Sequence, residues 1–305
     1  MVDLTVIILT KNEEQNIRKC IESFGDMPKA FLIVDSFSTD GTENVCGDIA
    51  KELSENGIQL DLVKHEFRDQ ADQFNWAIDN IPIHTEWFMR IDADEELLPE
   101  LKDEIANKLP DVSSDINGII LRRRVYFMGR WIKHGGRYPE FLLRIIRNGK
   151  GRCEQRLMDE HMIISEGMTE TFDNDLIDKN TKDLEWWTSK HNWYSSREVL
   201  DHMNVLEEEN EHSDKADELE DNATSVQARR KRKIKNGGYY KLPKFFRAHL
   251  YFIYRYYIKL GFLDGTEGKI FCFLQAYWYR FLVDAKMYEC EKTGNKIKDQ
   301  GDLKA

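Results

Sequence analysis

The sequence lacks the cysteine spacing that a disulfide framework or a zinc cluster requires. Its five cysteines are odd in number and widely scattered, and no two of them have the C-x-x-C spacing of a metal site. They are Cys20, Cys46, Cys153, Cys272 and Cys290. Disulfide frameworks belong to oxidising compartments, so this pattern favours a reducing one.

The sequence also lacks an unbroken apolar run of the length that crosses a membrane. Such a run needs about 20 predominantly apolar residues. The most apolar stretch, Leu250 to Val283, is interrupted by charged residues, namely Arg255, Lys259, Asp264, Glu267, Lys269 and Arg280. A first strand at residues 4–9 follows Met1 with no basic region, so we expect no signal peptide. These features predict a cytoplasmic protein that can lie on a membrane without crossing it.

A surplus of positive charge is absent as well. The chain has 44 Lys and Arg against 55 Asp and Glu, a net charge of −11. Because binding to the phosphate backbone needs a cationic surface, this balance argues against a nucleic-acid partner. An apolar content of 41% in 305 residues excludes disorder and predicts one catalytic domain with a smaller appendage.

The sequence also lacks the glycine-rich loops that bind phosphate groups in many nucleotide-binding proteins. Neither G-x-G-x-x-G nor G-x-x-x-x-G-K occurs in the chain. The phosphates of a bound nucleotide would therefore have to be neutralised by other groups.

What is present is an alternation of strand and helix patterns over the first hundred residues. Apolar β-rich runs at residues 4–9, 30–34 and 87–91 alternate with helical periods, as expected of an α/β domain with a largely parallel sheet. Residues 118–162 look like an antiparallel extension of that sheet. The pattern changes to helices near Leu184, which predicts a catalytic domain over residues 1–183 and a helical C-terminal region over residues 184–305.

Polar residues follow three of the predicted strands, at residues 10–14, 35–40 and 92–94. In open α/β sheets the ligand lies beyond the carboxyl ends of the strands, so these segments should share one crevice. Asp92 and Asp94 can hold a hard cation, Mg²⁺ or Mn²⁺, whose other ligands are diphosphate oxygens. A second D-x-D triplet, residues 173–175, has no apolar strand before it and is not predicted to form this site.

The motifs, taken together, resemble the family 2 glycosyltransferases, in particular those similar to lipooligosaccharide-core β-1,4-glucosyltransferases. The matching stretches are VIILTKNEEQNIRKCIESF, VDSFSTDGT, DQFNWAI, MRIDADEEL, GRYPEFLLRIIRNGKG, MDEH, KHNWYSSRE and IKLGFLDGTEGKIF. The resemblance implies a GT-A fold, which is a Rossmann-like nucleotide-diphospho-sugar transferase fold. It also implies a nucleotide-sugar donor, most often UDP-linked, and inversion at the anomeric carbon.

The resemblance also implies roles for individual residues. It places Asn12, Glu13 and Asp35 at the nucleoside, Asp92 and Asp94 at the metal and diphosphate, Gln70, Asn75 and Arg90 at the donor, and Lys190 with His191 at acceptor or phosphate. Ser36 departs from the pattern, because many members have a second aspartate there.

An inverting transfer needs a carboxylate that takes the proton of the acceptor hydroxyl. Asp159 or Glu160 fits this role, and both alternatives stay open. A surface ion-pair cluster with Arg152 and Arg156 is the competing interpretation.

Residues 244–260 predict an amphipathic helix. Its apolar stripe, about 80° wide at 100° per residue, consists of Phe246, Leu250, Ile253, Tyr257 and Leu260, and Lys244, Arg247, Arg255 and Lys259 lie opposite. Either the stripe enters the interface of an anionic bilayer, or it packs against the catalytic domain while the basic side faces water.

The sequence thus predicts transfer of a hexose, with glucose favoured, from a UDP-sugar to a glycan or a lipid-linked saccharide in lipopolysaccharide-type synthesis. The enzyme would work at the cytoplasmic face of the inner membrane. A nucleotidyltransferase that makes sugar nucleotides would be expected to have a glycine-rich loop near its N-terminus. This alternative is less favoured, because residues 10–15 contain no glycine. An inactive nucleotide-binding membrane scaffold is less favoured because clustered carboxylates are costly to keep without a cation or a proton to bind.

Overall fold

The computed structural model describes residues 1–155, 160–211, 225–234 and 238–295. The described residues form a nine-stranded mixed sheet in the order β3-β2-β1-β4-β8-β6-β11-β5, with β7 beside β6, and β9 and β10 form a separate pair. The strands are β1 (Val2–Thr10), β2 (Pro28–Asp35), β3 (Gln59–Lys64), β4 (Trp87–Asp92), β5 (Glu95–Leu97), β6 (Ile116–Phe127), β7 (Arg130–Trp131), β8 (Glu140–Arg147), β9 (Gly151–Cys153), β10 (Met162–Ile164) and β11 (Met168–Asp178).

Helices cover both faces of the sheet and continue after it. They are α1 (Ile17–Glu22), α2 (Thr42–Glu55), α3 (Gln70–Asn80), α4 (Pro99–Lys108), α5 (Leu184–Glu211), α6 (Val226–Ile234), α7 (Phe246–Ile253), α8 (Gly265–Cys272) and α9 (Tyr279–Thr293). Two π-helical segments, Tyr254–Ile258 and Phe273–Trp278, follow α7 and α8. Among the described residues, none of these helices has the length and apolar character that crossing a bilayer requires.

The parallel half of the sheet, β3-β2-β1-β4, explains why its sequence is so apolar. Alternate residues of β1 enter two different cores, with Val6 and Ile8 on the side of α1, α2 and α4, and Ile7 on the side of α3. Because both faces are covered, the strand shows an almost continuous buried run rather than alternation. This arrangement confirms the predicted α/β domain with parallel strands.

The second half of the sheet is the predicted antiparallel extension. β8 pairs antiparallel with β4 and with β6, and β5 pairs antiparallel with β11. The exception is β11, which runs parallel to β6.

The sequence interpretation of residues 173–175 was wrong in one respect, because these residues lie inside β11. Asp175 is buried and is the register partner of Arg122 on β6. Its carboxylate contacts Arg122 Nε at 3.0 Å and Arg124 Nε at 2.6 Å. Opposite charges on paired strands hide such a strand from a search for apolar runs. The triplet is thus part of a structural ion-pair network.

The apolar stripe of residues 244–260 faces outward. Its five residues are all at least 37% exposed, Leu250 being the least exposed. The expectation that the stripe packs against the catalytic domain is therefore wrong. The expected water-facing position of the two arginines is also wrong, since Arg247 and Arg255 are buried at 2% and 6% exposure.

Arg247 is buried because it joins α7 to α9. Its Nε donates to Asp284 Oδ1 at 2.8 Å, and the other oxygen of Asp284 accepts from the backbone N–H of Phe245 at 2.7 Å. Removing one partner of such a pair leaves an uncompensated buried charge. The pair therefore fixes the packing of the C-terminal helices.

We expect Asp284→Ala to lower the free energy of unfolding by about 3–5 kcal/mol, because Arg247 is left buried without its counter-ion. Denaturant titration followed by near-UV circular dichroism measures this change. The control is Asp48→Ala, which breaks an ion pair of α2 whose side chains are 80% and 64% exposed and which should have almost no effect. Equal effects of the two substitutions would contradict the structural role of the pair.

Candidate active site

The carboxyl ends of β1, β2 and β4 meet at one edge of the sheet. The register pairs Thr10 with Asp35 and Leu9 with Asp92, which confirms that the predicted strand ends share a crevice. A cavity of about 1930 Å³ opens there. It extends from this edge past the loop before β8 to α5 and the C-terminal helices. Strand order reverses around β1 and β4, the position where α/β sheets bind ligands.

The turn after β1 forms one wall of the cavity, and Asp35 supports it from below. Asn12 has a left-handed backbone with φ of 54°, and its Oδ1 accepts from Thr39 N at 2.8 Å. Asp35 is fully buried and accepts hydrogen bonds from Thr10 Oγ1 at 3.0 Å and from Ser38 N at 2.8 Å. Asn12 and Ser36 line the cavity. In this structure Asp35 therefore ties the β1 and β2 turns together.

Glu13 links the same turn to the segment that leads into α5. Its Oε1 accepts from Lys182 Nζ at 2.6 Å and its Oε2 from Asn16 Nδ2 at 2.7 Å. Burial raises the pKa of Glu13, Lys182 opposes the shift, and Asp94 adds to it. Nothing in the local sequence indicates this pairing, because 169 residues separate Glu13 from Lys182.

The two carboxylates of the D-x-D motif lie on the cavity wall. The side chain of Asp92 is 30% exposed, with Arg144 Nη2 at 3.7 Å and Arg90 Nη2 at 3.9 Å. Burial by itself raises the pKa of Asp92, but Arg144 and Arg90 outweigh it and the pKa lies below its ordinary value. Asp94 accepts a hydrogen bond from Asn180 Nδ2 at 2.7 Å. Asp92 therefore stays ionised at neutral pH.

Glu95 supports this motif from behind. It is fully buried, accepts from the backbone N–H of Asp92 at 3.1 Å, and contacts Arg144 Nη2 at 2.6 Å and Arg123 Nη1 at 3.2 Å. Burial raises the pKa of Glu95 to about 7, and Asp92 adds to the shift while Arg144 opposes it. Neither arginine is among the site residues predicted from the sequence. The alternation of side chains along β8 puts Arg144 on the same face as Glu140. This pattern could have indicated Arg144 from the sequence.

Arg90 lies between the D-x-D motif and the predicted base segment. Its Nη2 donates to Gln70 Oε1 at 2.8 Å and to Glu160 Oε1 at 3.2 Å. Burial raises the pKa of Glu160, which Arg90 opposes. The structure thus brings together Gln70, Arg90 and Glu160 on the cavity wall. Asp159 lies outside the described residues.

The side chain of Asn75 is hydrogen-bonded to the backbone of Cys153. Its Nδ2 donates to the carbonyl of Cys153 at 2.8 Å, and its Oδ1 accepts from Cys153 N at 2.9 Å. It is 3% exposed. Asn75 therefore anchors the strand that precedes the base segment, and its donor contact remains a prediction.

Lys190 and His191 line the cavity from α5. Burial lowers the pKa of Lys190, but Tyr194, Asp94 and Glu13 outweigh it and raise the pKa. Burial lowers the pKa of His191 to about 4, and its Nδ1 lies 2.8 Å from the carbonyl of Trp187. A carbonyl can only accept, so the neutral ring carries its proton on Nδ1. The remaining nitrogen can accept from a hydroxyl.

The carboxylates of Asp92 and Asp94 suit a divalent cation on the condition that a nucleotide diphosphate supplies further oxygen ligands. Among the described residues, no three histidine, cysteine or acidic side chains converge as a complete metal site. Carboxylate oxygens are the ligands that Mg²⁺ and Mn²⁺ prefer, and Mg²⁺ commonly takes one or two of them together with substrate phosphates. The donor set is therefore suited to a cation that arrives with a nucleotide diphosphate.

Two bacterial glycosyltransferases are similar to this chain in sequence. The chain is 32% identical over 169 residues to the lipopolysaccharide core biosynthesis glycosyltransferase LpsC of Rhizobium meliloti (strain 1021), covering 54% of this chain and 58% of LpsC. It is 36% identical over 105 residues to an uncharacterised glycosyltransferase of Rickettsia prowazekii (strain Madrid E), covering 34% and 32%. The chain thus spans about three fifths of the first relative's length and about a third of the second's.

The fold is similar to that of a solved mannosyltransferase, PcManGT from Pyrobaculum calidifontis, in complex with GDP-Man and Mn²⁺. The TM-score is 0.52 at 14% sequence identity, and the match covers 94% of this chain and 87% of that one. The fold class is therefore GT-A, with a helical C-terminal region. The model of the family described as "Glycosyl transferase family 2" matches residues 5–167, more than half of the chain. The protein belongs to glycosyl transferase family 2.

Proposed function

We propose that the protein is an inverting, metal-dependent hexosyltransferase. It would move a hexose, glucose being favoured, from a UDP-sugar to a glycan or lipid-linked saccharide in lipopolysaccharide-type synthesis. The observation that carries this proposal is the position of Arg90, which contacts Glu160 at 3.2 Å and lies 3.9 Å from Asp92. A candidate base and a candidate metal ligand thus lie within 4.0 Å of the same nitrogen, Nη2, of one buried guanidinium.

This arrangement suits a single displacement. Glu160 would take the proton of the acceptor hydroxyl, whose oxygen attacks the anomeric carbon from the face opposite the diphosphate, so the configuration inverts. Arg90, Arg144 and Lys190 would bind and orient the diphosphate through charge-assisted hydrogen bonds. A cation held by Asp92 and Asp94 would stabilise negative charge on the leaving diphosphate.

The donor and acceptor classes rest on different support. The UDP donor follows from the family resemblance, and the mannosyltransferase with the similar fold was solved with GDP-Man and Mn²⁺, which makes GDP the competing nucleotide. The acceptor class follows from the name of LpsC, a lipopolysaccharide core biosynthesis enzyme.

The first test is calorimetric titration of UDP, GDP, CDP and dTDP into the wild-type protein, with and without Mn²⁺. We expect UDP to bind, and to bind at least about tenfold more weakly when the metal is omitted, because the metal neutralises part of the diphosphate charge. Binding of GDP alone would replace the donor assignment. If no nucleotide binds under any of these conditions, the transferase proposal fails.

The proposal includes peripheral contact with an anionic membrane, at the cytoplasmic face of the inner membrane. Residues 239–288 contain eight Lys and Arg but three Asp and Glu, in a chain of net charge −11. Two of those acids, Asp264 and Asp284, are buried, and so are two of the cations, Arg247 and Arg255. The exposed cations of this segment are Lys241, Lys259 and Lys269. An apolar face flanked by basic residues is the composition that binds anionic bilayers.

The outward apolar residues form a continuous surface. Rings of Phe245, Phe281, Tyr277 and Phe273 follow one another at centroid distances of 5.0, 5.8 and 5.5 Å. Phe245 directly precedes α7, Phe273 and Tyr277 lie in the π-helical segment between α8 and α9, and Phe281 lies on α9. Exposed apolar patches of this kind mark binding surfaces, and the surrounding cations favour a lipid partner.

We expect Phe246→Asp combined with Tyr257→Asp to reduce binding to phosphatidylglycerol-containing vesicles at least about tenfold, because both side chains lose their apolar contact with the bilayer. Flotation with vesicles measures this loss. The matched control is Met168→Asp, the same kind of change at a 55% exposed residue of β11, which should leave flotation unchanged. Undiminished flotation of the double variant would count against the membrane contact.

A further inference from the structure

A cationic part of the cavity lies away from the D-x-D motif and has no role in the mechanism above. It consists of Arg137, Tyr251, Arg255, Gln275 and Arg280, which all line the cavity, and is named the arginine pocket. Arg137 comes from the loop before β8, and the other four come from the helical region. The charges that act most strongly on Asp92 are instead Arg144, Arg90, Arg123 and Lys190.

Arg255 is the central residue of the arginine pocket. It is 6% exposed, its Nε donates to the carbonyl of Gly135, and its Nη1 lies 3.4 Å from Tyr251 Oη. Its Nη2 has no hydrogen-bond partner among the described residues. No described carboxylate lies within 4.0 Å of its guanidinium nitrogens, unlike those of the buried Arg247. A buried guanidinium in this state is electrostatically unfavourable until an anion joins it.

Arg137 adds a second incompletely neutralised cation. Its nearest described carboxylate is Glu140, at 3.7 Å from Nη1, and its Nε has no partner within the described ranges. Glu140 already accepts from Arg123 at 2.8 Å and from Lys231 at 3.1 Å. Burial lowers the pKa of Arg137, and repulsion by Arg123 and Arg255 lowers it further against the attraction of Glu140. Glu140 thus contacts three cations, of which Arg123 also contacts Glu95 and Asp178. Asp178 attracts Arg137 as well, but the pKa of Arg137 still lies below its ordinary value.

The pKa of the Tyr251 phenol responds to these positive charges. Burial raises its pKa, yet Arg255 and Arg280 outweigh burial, and the pKa lies below the ordinary value of tyrosine. Arg280 does have a carboxylate partner, Glu198 at 2.6 Å, but Glu198 also accepts from Tyr279 and Tyr240. The local potential is therefore positive even though the protein as a whole is negative.

We propose that the acceptor is an anionic saccharide whose phosphate or carboxylate group binds between Arg137 and Arg255. This inference rests on the proposed transferase function and extends it to the substrate class of the acceptor. A planar guanidinium offers paired donors that match both kinds of oxyanion. The unpartnered Gln275 Oε1 can accept from a sugar hydroxyl beside the anion.

The test compares the binding of three small probes, namely glucose 6-phosphate, glucuronate and glucose, to the wild-type protein. Each probe is titrated with and without saturating Mg²⁺ and the nucleoside diphosphate that binds in the calorimetric test. We expect at least one anionic sugar to bind at least about tenfold more tightly than glucose. A preference for glucose 6-phosphate identifies a phosphorylated acceptor, and a preference for glucuronate identifies an acidic sugar.

Variants assign the binding to the arginine pocket. Arg255→Gln and Arg137→Gln should each weaken binding of the preferred anionic sugar at least about tenfold and change nucleotide affinity less than about twofold. Because Arg255 also holds Gly135, Arg137→Gln serves as the variant that keeps that backbone contact. The matched control is Arg152→Gln, outside the cavity and 51% exposed, which should bind all probes as the wild type does.

Two results would overturn the inference. Equal affinity of the wild type for all three probes removes the anionic preference, and wild-type affinity in both arginine variants removes the pocket. A wild type that binds an anionic sugar but no nucleotide contradicts the transferase function and leaves the anion site standing. The two failures are therefore distinguishable.

Discussion

Replacing Asp92 and Asp94 together by asparagine is expected to lower kcat/KM at least about a hundredfold, and to abolish the effect of Mn²⁺ on nucleotide binding. Loss of metal assistance removes several kcal/mol of transition-state stabilisation, and each 1.36 kcal/mol is about tenfold in rate. Steady-state kinetics measures the first effect and calorimetry with and without Mn²⁺ the second.

The structure makes metal dependence a better readout than nucleotide affinity. Arg90 and Arg144 contact Asp92 within 4.0 Å in the wild type, and both lose that partner in the double variant. They can then bind the diphosphate directly, so the variant should still bind the nucleotide without metal. The matched control is Asp48→Asn with Asp173→Asn, two exposed carboxylates outside the cavity, whose nucleotide binding should keep its metal dependence. A D-x-D variant that kept it would refute the metal site.

Glu160→Gln should reduce kcat by about 10²–10⁴, because the acceptor hydroxyl loses its general base. KM for the donor should change little, since the amide keeps the shape of the side chain and Arg90 keeps Gln70 as a partner at 2.8 Å. Asp159→Asn is the decisive comparison, because the sequence leaves both residues open. If Asp159→Asn shows the large loss and Glu160→Gln does not, the base is Asp159 and Glu160 is a positioning residue.

The pH profile of the wild type gives an independent check on Glu160. The carboxylate accepts a proton only when ionised, so the rate falls as the pH decreases through its pKa. Burial raises that pKa above the ordinary value of 4.5, which moves the acidic limb of kcat/KM to higher pH. In Glu160→Gln this limb should disappear from the residual activity. An unchanged limb in that variant would exclude Glu160 as the titrating base.

Much of the fold and part of the site could be predicted from the sequence, where the signal is local. The strands that precede Asp35 and Asp92 are buried on both faces, so they appear as short apolar runs that end in polar residues. The general rule for parallel sheets then places those ends together. The part of the stripe on α7, namely Phe246, Leu250 and Ile253, was likewise predictable from its period, because an α-helix repeats every 3.6 residues. Tyr257 lies in a π-helical segment and Leu260 follows that segment, so the period does not extend to them.

The remaining features depend on partners that are distant in sequence. Hydropathy places Arg247 at a surface, and only the position of Asp284 on α9 explains its burial. β11 was missed because its acidic residues are neutralised across the sheet by arginines of β6. The sequence also does not decide whether the apolar stripe faces outward or packs against the catalytic domain. The helical period shows which residues share a side of the helix, but only the fold shows which side is covered.

The two hydrogen bonds between the side chain of Asn75 and the backbone of Cys153, named the Asn75 clamp, hold α3 against β9. Cys153 donates its amide hydrogen to a side chain of α3, so exchange of that hydrogen with solvent requires the clamp to open. Hydrogen–deuterium exchange at this amide would then report local opening of the contact between α3 and β9, separately from unfolding of the sheet. Slower exchange when nucleotide binds would show that the donor stabilises the contact between α3 and β9.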